Sequence, residues 1–150
     1  MSKVIEERRA GSHRIIQELV AVRDHVLSLY SQLAALHPFT DIEKASALLE
    51  IFCQSLIDYT ADTHFRLYRY LDEKRERRKP VIDVANQVYP SILGSTDAIL
   101  RFNDRYDFGK ARTDVDLSNL EGDLSELGER LADRIELEDK VIAALSLAKA

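Results

Sequence analysis

Apolar positions recur along this chain at alternating intervals of three and four residues, the period of an amphipathic helix. In the first segment Ile15, Leu19, Val22, Val26, Leu29, Leu33 and Leu36 form one seam, with Ser12 the expected cap and Pro38 the stop. The first ten residues then form a loose or separate turn. Thr40-Asp-Ile-Glu43 has the form of a capping box, in which the threonine hydroxyl takes the amide of residue 43 and Glu43 reaches back. A second helix follows through Leu48, Leu49, Phe52, Leu56, Tyr59 and Leu67 and ends in the charge run at 72–79. Pro80 suits the first turn of a third helix, where its missing N–H has no intrahelical partner to lose. Val81, Ala85, Val88, Ile92, Ile99 and Tyr106 trace that helix, and Pro90 should kink or split it. Phe108-Gly109 opens a polar connection. Asp116 can cap a last helix whose stripe is Leu117, Leu120, Leu124, Leu127, Leu131, Ile135, Ile142 and Leu145. Four helical segments with short connections predict an all-α, antiparallel up-down four-helix bundle in a single domain.

Composition agrees with a packed domain. Of 150 residues, 45% are hydrophobic and 31% charged, which excludes a largely disordered chain. The net charge of −5 suits a basic partner better than a phosphate backbone, so direct nucleic-acid binding is not expected. MSKVIEERRAGSHR lacks the apolar core of a secretion signal, and no run has the length of a membrane span. One cysteine excludes an internal disulfide, so the expected location is the cytoplasm.

Candidate chemistry is sparse. Phosphate-cradling glycine loops, nucleophile elbows and paired-cysteine zinc spacings are absent, so no catalytic residue and no cofactor is expected. A helical bundle containing His and Glu raises the hemerythrin-like metal proteins as an alternative. However, His13, His25 and His37 lie twelve residues apart, each turned roughly 120° from the last, and no Glu-x-x-His pair joins them and His64. Cys53 reads as a small residue at the core edge. KRERR at 74–78 is interrupted by acid and reads as a solvated helix end. Glu138 falls inside the last apolar stripe, where a carboxylate costs free energy unless bonded. It is expected to accept from Tyr59 or Thr63, or to pair with Arg23.

With Phe52 of the second helix at zero and about 100° per residue, Leu56, Tyr59, Thr63, Leu67 and Tyr70 gather on one side. Asp58 and Phe65, seven residues apart, share another line, with Ala61 and Tyr68 beside them. Two readings fit this spacing. Either the line is a shallow docking site of aromatics beside an acid, or the helix is buried on both sides and Phe65 packs inside.

These same residues carry a family resemblance. FCQSLIDY at 52–59, HF at 64–65 and Tyr68 resemble the signature region of the Rsd/AlgQ family of bacterial anti-sigma regulators. Gly11-Ser12, Val22-Arg23 with His25, Tyr89-Pro90, FNDRYD at 102–107 and LEDK at 137–140 extend it across the chain in order. It departs at Ala61-Asp62-Thr63, where the family typically shows Ser-Ala-Gly, and at Leu19, where some members have tryptophan. The resemblance implies a cytoplasmic, non-enzymatic bundle that binds the C-terminal, promoter −35-reading domain of the primary sigma factor. Binding would hold that factor from core RNA polymerase and favour alternative sigma factors. Position by position it implies partner contact at Asp58 and Phe65, with Ala61, Asp62, His64 and Tyr68 as neighbours. A second regulatory protein is a further expected partner, and an adaptor acting mainly on that protein is the alternative function. The expected state is a monomer or weak homodimer.

Overall fold

The computed structural model describes residues 2–68, 79–106 and 116–147, with side chains over 13–65, 79–106 and 116–145. Helix α1 spans Ser2–Ala34, α2 Ile42–Asp62, α3 Lys79–Arg105 and α4 Leu120–Leu147. Among the described residues there is no strand. Each helix packs against its neighbour in the chain, and α1 against α4 closes the ring. The directions alternate. Tyr30 reaches Leu124 while Arg23 reaches Asp139, so α1 and α4 run opposite ways. Arg105 meets Asp123 while Thr96 meets Arg134, so α3 and α4 do too. This is the expected four-helix bundle.

The core follows the predicted seams. Leu19, Val26, Leu29 and Leu33 of α1, Phe52 and Leu56 of α2, and Val81, Ala85, Val88, Ile92 and Ile99 of α3 are all buried. Phe52 is central, tilted against Tyr30 and edge-on to Phe102, each at 6.0 Å between centroids. Gly128 of α4 is required by close approach, since a Cβ there would run into the Tyr30 hydroxyl. That hydroxyl donates to the Leu124 carbonyl at 2.8 Å and ties α1 to α4.

Element ends differ from the sequence expectation at several points. Helix α1 runs through Gly11-Ser12 from Ser2, so Ser12 is not its cap. A glycine inside a helix costs only about 1 kcal/mol against alanine, too little to break one flanked by good helix formers. The cap of α2 is Asp41 rather than Thr40, its carboxylate accepting from the Lys44 amide at 3.1 Å, so the Thr40–Glu43 box does not form. Asp116 caps a turn ahead of α4, accepting from the Ser118 amide at 3.0 Å, and the helix itself begins at Leu120. Helix α3 is not split at Pro90. Residues 72–78 of the charge run, KRERR among them, lie outside the described residues, as do Tyr70, the Leu67 side chain and Phe108-Gly109.

One further departure concerns α2. After Asp62 the backbone stays helical but widens into a π-helical segment, Thr63–Tyr68. Such wide turns rotate less per residue and often accompany functional sites. Thr63, standing where the resemblance has glycine, is fully buried and donates its hydroxyl to the Tyr59 carbonyl at 2.9 Å.

Candidate functional site

Helix α2 has two differently built sides. Inward, Tyr59 is buried and its hydroxyl donates to both oxygens of Glu138, at 2.6 and 2.7 Å. Glu138 is 0% exposed, as its place in the stripe requires. Arg134, one turn earlier on α4 and 2% exposed, completes the group. Its Nε donates to Glu138 at 3.1 Å and to the Tyr59 hydroxyl at 3.3 Å. Its Nη1 donates to Ser95 and Thr96 of α3 at 3.1 and 2.9 Å. Arg23 of α1 stands 3.6 Å from Glu138 and pairs more closely with Asp139, at 2.8 Å. All four helices therefore meet in one buried polar cluster. Of the expected partners of Glu138, Tyr59 holds it by hydrogen bond and Arg23 approaches it, whereas Thr63 bonds elsewhere. Burial, then the negative charge and hydrogen bond of Glu138, push the Tyr59 phenol far above its ordinary range, so it stays a donor.

Arg134 was not legible as a core residue by type. Spacing contained the signal, because the seam of α4 continues 131, 134, 138, 141, 145 at strict three-four intervals. Consequently Ile135 and Ile142, expected on the stripe, are only half-buried, and Arg134 and Val141 take the interior. A charged pair is tolerated there because both Glu138 oxygens accept from Tyr59, and Nε and Nη1 of Arg134 find acceptors on Glu138, Tyr59, Ser95 and Thr96.

Outward, α2 presents a second stripe. Ala47, Ile51, Gln54, Asp58, Ala61 and Phe65 are all exposed and follow one another at four, three, four, three and four residues. Ile51 is 53% exposed and Phe65 58%, so two-sided burial of this helix is not what the structure has. Asp58 accepts from Gln54 at 3.1 Å, one turn away. His64 is exposed and sets its ring edge-on to Phe65 at 5.2 Å. Asp62 is half-buried at the margin of this face. Tyr68 lies in the π-helical segment and its side chain is outside the described residues. Of five charged side chains on Ile42–Asp62, four are acidic, Glu43, Glu50, Asp58 and Asp62, against Lys44 alone. Ile51 was missed by motif matching, and continuing the Asp58–Phe65 line back by seven residues finds it.

Other parts of the surface offer less chemistry. A groove of about 470 Å³ between α3 and α4 is lined by arginines and acids. Arg105 binds Asp123 at 2.6 Å and Arg130 stands 3.5 Å from Asp133, so its charges largely offset one another. Among the described residues no three His, Cys, Asp or Glu side chains gather as a metal site, and His37 pairs with Glu121 at 3.0 Å. Cys53 is buried. No described helix is long and apolar enough to cross a membrane.

The bundle thus joins a buried polar cluster to an outer face on which Ile51 and Phe65 align along one acidic helix, while the other exposed large apolar side chains, Ile42, Leu93 and Leu100, lie off that line. The family profile described as Regulator of RNA polymerase sigma(70) subunit, Rsd/AlgQ, matches residues 1–146, and the chain belongs to that family. A protein named Regulator of sigma D from Enterobacter sp. (strain 638) is 34% identical over 147 residues, covering 93% of this chain and 84% of its own. The protein of the same name from Salmonella arizonae is 33% identical over 146 residues, covering 92% and 85%. That of Yersinia enterocolitica is 29% identical over 148 residues, covering 92% and 84%. No solved structure is matched by the chain.

Proposed function

We propose that this chain is a non-enzymatic cytoplasmic regulator that binds the C-terminal, −35-reading domain of the primary sigma factor. By occupying that domain it withholds the factor from core RNA polymerase and favours alternative sigma factors. The observation that carries this is the exposure of Asp58 and Phe65 together on α2 in a member of this family. The physical chemistry supports it. A domain that reads promoter DNA is basic, because it sits on phosphates, and this chain carries a net charge of −5. Asp58 meets an arginine or lysine of that domain, and Phe65 fills an apolar gap between its helices. Ala61, Asp62, His64 and Tyr68 form the margin. Fully burying one such aromatic supplies about 1.5–3 kcal/mol, enough to make it an anchor.

Calorimetric titration of the purified chain with the isolated sigma C-terminal domain tests this. Saturable one-to-one binding with a Kd of roughly micromolar or tighter is expected. Absence of binding with the domain at about 100 μM would exclude the function.

A further inference from the structure

The outward stripe of α2 is longer than the Asp58–Phe65 pair. Ile51 lies seven residues before Asp58 on the same line, and Ala47 starts it. From Ile51 to Phe65 at 1.5 Å per residue the face extends about 20 Å, or roughly four turns. Along it two large apolar side chains, each more than half exposed, flank Asp58 at the midpoint. Ala47 and Ala61 leave low points beside them. The three-four spacing is the one this protein uses inside its own bundle, where Leu19, Val22, Val26, Leu29 and Leu33 seat α1 against its neighbours. A stripe with that period is complementary to another helix lying along it at a shallow angle, knobs into holes. Acids outnumber cations beside the stripe: Glu43 and Glu50 are both exposed toward its first half, with Lys44 between them, and Asp58 is exposed at its centre.

We infer that Ile51 is a second anchor of the docking face, and that the sigma domain lies along α2 with a basic helix rather than capping only the Phe65 end. This rests on the sigma-binding function proposed above and extends it by two turns. Phe65 and Ile51 then insert on either side of the partner helix's apolar positions. Glu50 and Asp58 face its cations, which speeds the encounter as well as fixing the register.

The test is a set of titrations of the sigma C-terminal domain with wild type, Ile51→Ala, Glu50→Lys and Phe65→Ala, each checked for wild-type helicity and melting temperature. Ile51→Ala is expected to weaken binding about tenfold, the effect of losing most of one buried aliphatic side chain. Glu50→Lys should slow association several-fold, the loss growing at low salt. If Phe65→Ala weakens binding while Ile51→Ala and Glu50→Lys match wild type, the long face is wrong and the shorter site stands. If wild type does not bind the domain at all, both proposals fall. A wild-type dimer that Ile51→Ala dissociates, with sigma affinity unchanged, would assign the first half of the stripe to a second copy and overturn the inference.

Discussion

On α2 Tyr59 sends a polar group into the core, while Asp58 beside it and Phe65, two turns further along in the π-helical segment, leave an acid and an aromatic in water. Both sides depart from the usual pattern of apolar inside and polar outside. They differ in where the compensation lies. Inside, Arg134, Glu138, Ser95 and Thr96 meet the Tyr59 hydroxyl and one another within the chain, so the departure is closed. Outside, Ile51 and Phe65 remain more than half exposed. A buried polar cluster satisfied by its own fold serves to align the four helices, whereas an exposed apolar line gains its free energy only when another molecule covers it. The comparison separates residues that hold the bundle from residues that use it.

The largest expected effect lies inside. Glu138→Ala leaves the Arg134 guanidinium buried without its carboxylate and should cost about 3–5 kcal/mol of unfolding free energy, read from urea denaturation. A variant as stable as wild type would show that the cluster does not hold the helices.

A smaller, pH-dependent effect sharpens the same side. The phenols of Tyr59 and Tyr106 are both pushed up, chiefly by burial and then by Glu138 and Asp123 respectively. A group whose folded pKa is raised gives stability that is fully present below its unfolded value, about 10 for tyrosine, and lost as pH rises beyond it. Stability should therefore fall progressively as pH rises above about 10. Tyr59→Phe should cost about 1–2 kcal/mol at neutral pH by leaving Glu138 under-bonded, yet flatten that alkaline loss. Equal slopes in variant and wild type would contradict the assignment.

The smallest effect on stability is expected outside. Asp58→Ala and Phe65→Ala, alone or together, should move unfolding free energy by no more than about 0.5 kcal/mol, because neither side chain is buried.

How much of this was legible in sequence follows from the same contrast. Periodicity found the four helices, and the location of Glu138 in an apolar stripe announced a bonded carboxylate, with Tyr59, Thr63 and Arg23 all open as partners until the bundle chose Tyr59. Arg134 escaped because a cation was not sought at a seam position, although the three-four count passes through it. Helix ends were less legible. Ser12, Thr40 and Asp116 all have cap chemistry, and one hydrogen bond of about 1 kcal/mol does not decide between positions when packing sets the length of the helix. For the outer face, spacing placed Asp58 and Phe65 on one line but could not say whether that line was covered. Burial depends on which helices surround α2, and only the assembled bundle answers that.

The most direct test of the central claim is a paired measurement on the Asp58→Ala/Phe65→Ala double variant: its melting temperature, and its calorimetric titration with the sigma C-terminal domain. A melting temperature within about 2 °C of wild type and binding weakened at least about a hundredfold are expected. A variant that binds as tightly as wild type would contradict the site, and one that unfolds would show that the outer face is part of the scaffold after all.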